Sequence, residues 1–356
     1  MNTLIQQTPG EIDVYQSYTE QMFSGQTPYQ DYWFEYPPGI LALGSTAKIF
    51  SISPDHFFIV WQIMIFVAIA VAVSAIRKSL QIKPTIEESF QAYLYPKSKV
   101  AFGEISGVMG FLAVVLSAGV FLTHRYDIFA TIIVLFGVIA MRHKKYSWAV
   151  EMFWAGFLLK LYPIMFIPLA FIHAPRKEWG KMIVASILPI LITYFVWTPV
   201  GVQKFLEFHS DKSVQIESIQ GMLHRDKPIV FEKFSYVYEN ATPAKSWSLI
   251  FMSAMLVYCF VNRKKQQFAF QGFLLTLAFI ITGNVFSPQY ILWLASFVPF
   301  LNLSTGIAVA GLMYLTNYYF QFYDAIIAKS TLETLLLNIR NVFLILLFAF
   351  KLPQED

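Results

Sequence analysis

Cysteine is nearly absent from this 356-residue chain: Cys259 stands alone inside an apolar run, which excludes a disulfide framework and a cysteine metal site. Charge is scarce too. Asp, Glu, Lys and Arg make up 13% of the residues, about half the share of a soluble domain. No cluster of His, Cys, Asp and Glu has metal-ligand spacing, so neither a metal nor an organic cofactor is expected. No internal repeat is visible, which argues against the paired halves of an alternating-access transporter. The net charge of +4 is not a nucleic-acid footprint, because the basic residues sit in short clusters between apolar runs, where they set topology.

Hydrophobic residues make up 56% of the chain, in repeated runs of roughly 20. That pattern predicts an all-α, polytopic integral membrane bundle, forming one domain over residues 1–356. The first dozen residues are polar and show no cleavable leader. Next comes Asp13 to Pro38, with four carboxylates (Asp13, Glu20, Asp31, Glu35), five tyrosines and Trp33. Tyrosine and tryptophan favour the membrane–water interface, so this stretch reads as an outer loop lying on the bilayer. Its acids face either a polar partner or plain solvent. Pro37 and Pro38 impose extended geometry and a clean helix start after them. Gly39 to Phe50 then reads as a juxtamembrane helix, which closes the outer segment 1–55.

Basic clusters orient the rest. His56 to Ile76 spans inward to Arg77, Lys78, Lys83, Lys97 and Lys99; Glu104 to Thr123 returns outward, and Ile128 to Met141 comes back to Arg142–Lys145. The run Trp148 to Ala174 has basic clusters at both ends, so a single span cannot serve it. Proline in Lys160-Leu161-Tyr162-Pro163 breaks it into two short helices that meet outside. Met182 to Thr198 crosses outward, 199–245 is a long outer loop, and Trp247 to Val261, Phe268 to Thr282, Ile291 to Leu303, Ile307 to Phe322 and Leu335 to Phe350 follow. The count is about ten crossings.

This topology gathers five polar motifs on one face. Ionisable residues beside apolar segments are costly and are functional candidates by default. Lys160 suits a phosphate counter-ion or a snorkelling lysine. Arg125 and Asp127 suit an interfacial ion pair or a site. His209 and Lys212 offer a cationic pair for a phosphate or solvated loop charge. Gln289 and Tyr290 follow Ser-Pro, where they line a site or cap and anchor a helix.

The motifs, in order, are D-V-Y (13–15), G-Q-T-P-Y-Q-D-Y-W-F-E-Y-P-P-G (25–39), H-R-Y-D (124–127), K-L-Y-P (160–163), H-S-D-K-S-V-Q-I-E-S (209–218) and S-P-Q-Y-I-L-W (287–293). Together they resemble the GT-C superfamily of membrane glycosyltransferases, and most closely glycosyltransferase family 87, the bacterial polyprenol-phosphate-mannose-dependent α-mannosyltransferases. The resemblance implies a polyprenyl-phosphate sugar donor, a lipid or glycan acceptor, inversion at the anomeric carbon, and a site on the outer face of the bacterial plasma membrane. It implies Asp13 as general base on the acceptor hydroxyl. Lys160, Arg125, His209 and Lys212 become candidates for the departing phosphate. Glu35 and Asp127 are second choices for the carboxylate role or hold sugar hydroxyls, and Tyr36, Tyr162 and Tyr290 line the sugar pocket. Glu217 and Gln289 complete the substrate-binding set. Members of the family place a membrane helix before D-x-Y. Twelve polar residues precede Asp13 here, so the resemblance implies a start upstream of Met1 or a member lacking that helix. The competing readings are a flippase for lipid-linked sugars and a non-catalytic subunit of envelope glycan assembly.

Overall fold

The computed structural model describes residues 11–53, 55–81, 97–232 and 235–351. The basic loop expected around Lys83 lies outside them. The protein is an all-α membrane protein with few strands. Among the described residues, four helical stretches are long and apolar enough to cross a membrane: His56–Gln81, Arg176–Phe195, Lys245–Asn262 and Thr331–Lys351. Their outward faces carry residues such as Phe66, Leu188, Phe195, Leu249 and Phe350, each at least 65% exposed, as expected for a surface that meets lipid rather than water.

The front of the chain is more ordered than a surface loop. Helix α1 (Glu11–Phe23) buries Ile12, Tyr15 and Thr19, an i, i+3, i+7 stripe, and leaves Asp13 exposed. Helix α2 (Gly39–Phe50) starts directly after the double proline, as the proline geometry requires, and buries Ile40, Leu41, Gly44 and Ala47. Gly39 allows the close approach that brings this corner to the centre: a Cβ there meets the Leu158 carbonyl oxygen at 2.5 Å.

Helix α3 (His56–Gln81) is followed by α4 (Lys97–Ser117) and α5 (Val120–His124). The expected single run Glu104 to Thr123 is therefore interrupted. Gly119 takes φ +51, a left-handed value that glycine adopts at little cost. Helix α6 (Asp127–Arg142) is buried along most of its length and forms the axis of the core. Beside it run α7 (Tyr146–Leu159) and, after a break at Lys160–Leu161, a 3₁₀ turn (Tyr162–Met165) leading into α8 (Phe166–His173). The proline break expected in this run is present.

Helix α9 (Trp179–Trp197) leads to a segment that is folded rather than loose. It holds α10 (Pro199–Ser210) and a hairpin, β1 (Ile229–Glu232) with β2 (Ser235–Tyr238), antiparallel with Ile229 opposite Tyr238. Helices α11 (Lys245–Asn262) and α12 (Phe268–Thr282) follow. The run Ile291 to Leu303 is not a regular helix. It forms 3₁₀ segments, Pro288–Ser296 and Val298–Phe300, each with proline in its first turn. The first is buried almost throughout, and the Ser296 hydroxyl donates to the Thr131 carbonyl of α6 at 2.8 Å. Such backbone is tolerated at depth where protein surrounds it. Helices α13 (Leu303–Phe320), α14 (Tyr323–Ile327) and α15 (Thr331–Lys351) close the chain.

Candidate functional site

The site is assembled from element ends. Asp127 opens α6, where the helix dipole favours a negative charge, and Lys160 ends α7, where it favours a positive one. The two form an ion pair, Lys160 Nζ to Asp127 Oδ2 at 3.1 Å, with Asp127 fully buried. The other carboxylate oxygen accepts from the Trp293 indole at 2.8 Å. Lys160 is thus held in place at the end of α7 by a buried carboxylate.

Aromatic rings enclose the pair. Lys160 Nζ lies 4.4 Å from the Tyr126 ring centre and 5.9 Å from that of Tyr290. Trp293 is sandwiched between Tyr162 (4.0 Å, interplanar 4°) and Tyr290 (3.9 Å, interplanar 24°). Tyr126 packs edge-on against Tyr36 and Tyr15, which links this box to the opening segment.

Glu35 sits at the rim. Burial raises its carboxyl above the usual range, against the opposing charges of Lys212 and Lys160 and a hydrogen bond with Tyr36. Helix α10 fastens this rim to the fold, since His209 Nε2 donates to the Glu35 carbonyl at 3.2 Å and Lys204 to the Tyr29 carbonyl. The Tyr29 hydroxyl in turn donates to the Tyr36 carbonyl at 2.5 Å. Burial, helped by Lys212, pushes His209 down to about 4. Burial thus favours a neutral imidazole whose ring N–H faces the Glu35 carbonyl. Lys212 lies 4.6 Å over the Phe208 ring.

The structure brings Glu35, Tyr36, Arg125, Asp127, Lys160, Tyr162, His209, Lys212 and Tyr290 to one region. Gln289 is buried beside Tyr290, its Oε1 without a partner. Asp13 is exposed, on the turn of α1 whose other side buries Tyr15 against Tyr36 and Tyr126. Glu217 belongs to a neighbouring cluster with Arg340, Asn341, Tyr319 and Tyr323. Arg125 bridges the two, within electrostatic range of both Asp127 and Glu217.

Two groups escaped the sequence reading. Trp293 stood in a quoted motif without a role, and nothing local marks it as the donor to Asp127. Arg340 lacked a motif, yet a lone arginine within the apolar run 335–350 is itself a signal. Among the described residues no group of three His, Cys, Asp or Glu is placed to hold a metal ion.

Tyr36 and Tyr290, the partly exposed rings at the edge of the box, lie beside carboxylates and amides and suit a polyhydroxylated ring, whose C–H faces pack on aromatic surface while its hydroxyls bond the rim. A family model described as glycosyltransferase family 87 matches residues 33–288, from Trp33 through the last proline before Gln289. No curated protein and no solved structure matches the chain.

Proposed function

This chain belongs to glycosyltransferase family 87, and from that premise we propose that it transfers a hexose, mannose foremost, from a polyprenyl phosphate to a lipid or glycan acceptor. In this reading the reaction runs on the outer face of a bacterial plasma membrane, in a single GT-C-like bundle of about ten crossings. The observation that carries it is the Asp127–Lys160–Trp293 cluster inside its tyrosine box, next to the Glu35 rim. The partly exposed rings of Tyr36 and Tyr290 would pack on the sugar. Glu35, Tyr36, Gln289 and Tyr290 would hold hydroxyls, and Arg125, Lys160 and Lys212 would supply the positive field for the departing phosphate.

We assign the general base to Asp13, which takes the acceptor proton as the new glycosidic bond forms at the anomeric carbon and the lipid phosphate leaves with the old bond's electrons. A second reading gives this role to Glu35, favoured by its place at the mouth of the cluster and its raised carboxyl.

The test is transfer by purified protein in nanodiscs, with labelled polyprenyl-phosphate hexoses and a host lipid extract. Asp13→Asn is expected to lower turnover about 100-fold or more while leaving donor binding intact. If Glu35→Gln has that effect instead, the base is Glu35, and the wild-type rate falls on acidification from above the ordinary carboxylate range. Wild-type transfer by both variants removes the base assignment. Failure to bind any donor of the panel removes the polyprenyl-phosphate reading.

A further inference from the structure

A cavity lined by none of the aromatic-box residues lies where the folded segment after α10 meets the head of α15. It measures about 390 Å³ and is lined by Arg225, Tyr238, Lys329, Thr331, Thr334 and Leu335, among others. Arg225 Nη1 donates to the Tyr238 hydroxyl and Nη2 to Asn338 Oδ1 at 3.0 Å, while its Nε is buried with no partner. Lys329, at a left-handed φ of 58°, donates to the carbonyls of Arg225 (2.9 Å) and Lys227 (2.6 Å), which fixes its ammonium against the backbone that carries Arg225.

Among the described residues no carboxylate lies within ion-pair distance of either cation. Glu333, the acid of the adjoining turn, takes the Ser330 hydroxyl. Glu217, which does sense Arg225, is buried and pushed toward its neutral form. Two cations at one cavity, neither in contact with an acid, favour an anion there. The Thr331 and Thr334 hydroxyls, which also line the cavity, add donors.

The other wall decides what kind of anion. Leu335 lines the cavity at 52% exposure and Leu332 beside it is 61% exposed, both at the head of a helix of membrane-crossing length. We propose that the Arg225–Lys329 cavity binds the phosphate of an anionic lipid, its hydrocarbon chain running down the Leu332–Leu335 face of α15. A bulk phospholipid and a polyprenyl phosphate share that chemistry. The proposal is independent of sugar transfer.

The test uses the full chain, delipidated in detergent and titrated with dioctanoyl phosphatidylglycerol or dioctanoyl phosphatidylcholine under native mass spectrometry. The wild type is expected to retain the anionic lipid preferentially, and Arg225→Gln/Lys329→Gln to lower that retention about tenfold. Leu335→Trp fills the apolar side with both cations left in place; it is expected to weaken retention too, and it stands alone if the double variant does not fold. Lys181→Gln, a cation on α9, is expected to change nothing. Displacement of phosphatidylglycerol by farnesyl phosphate identifies the polyprenyl carrier as the occupant, and failure to displace identifies bulk phospholipid. Equal retention of the two glycerolipids by the wild type overturns the proposal. So does wild-type retention of phosphatidylglycerol by either altered protein.

Discussion

Asp127 and Glu217 are both carboxylates with almost no solvent exposure, and each has a basic side chain from a distant helix beside it. They are held in different ways. Asp127 meets Lys160 directly and takes the Trp293 N–H on its other oxygen, so both oxygens are satisfied and the charges are paired. Glu217 has no such pair. Arg340 Nη2 donates at 2.8 Å to the Glu217 backbone carbonyl instead, leaving Arg340 Nε and Nη1, Glu217 Oε2 and Asn341 Oδ1 without partners. Burial outweighs the attraction of Arg340 and pushes the Glu217 carboxyl up to about 7. A buried charge persists where a counter-ion touches it; where the counter-ion is spent on backbone, the acid moves toward its neutral form.

The largest effect is expected from breaking the paired cluster. Asp127→Asn strands Lys160 without its counter-charge, at a cost of about 3–5 kcal/mol. Unfolding of the detergent-solubilised protein, followed by circular dichroism, measures it. Adding Lys160→Met in the same molecule is expected to restore a good part of the loss, and a cycle with no coupling would mean that the pair does not stabilise the break after α7.

Trp293→Phe keeps an aromatic ring in the stack but removes the N–H to Asp127, at about 1.5–3 kcal/mol for a hydrogen bond to a charged group, and adds the cost of the smaller ring. A cost as large as that of Asp127→Asn would place the main stabilisation in the aromatic box instead.

The smallest effect sharpens the contrast from the Glu217 side. Its folded value is raised, so its contribution is fully present below the unfolded-chain value of about 4.3 and is lost as pH rises through about 7. Amide exchange of residues 214–218 is expected to quicken between pH 6 and 8, by on the order of 1 kcal/mol in opening free energy. Glu217→Gln is expected to flatten that trend. A steep trend in the Gln variant would assign the titration to another group.

Much of the helix plan was legible because local rules govern it. The start of α2 after Pro38 and the break at Lys160 follow from proline, and the membrane-facing helices follow from long apolar runs. Less legible was anything set by neighbours. The stretch 291–303 has the composition of a span, yet packing against α6 and two prolines make it 3₁₀. The segment 199–245 reads as polar loop, but it is tied to the turn after α12: the Gln215 amide donates to the Asn284 carbonyl at 3.0 Å, and Asn284 Nδ2 donates to the Lys212 carbonyl at 2.9 Å.

By itself the sequence determined a helical membrane protein with motifs of glycosyltransferase family 87, since hydropathy, proline placement and motif order are properties of the chain alone. Only the tertiary structure decided which charges meet: Lys160 with Asp127, His209 with the Glu35 carbonyl, Arg340 with the Glu217 carbonyl. These partners lie 33, 174 and 123 residues apart. Burial then sets which acid keeps its charge, because desolvation and the position of the nearest cation depend on the packed fold and not on the order of residues.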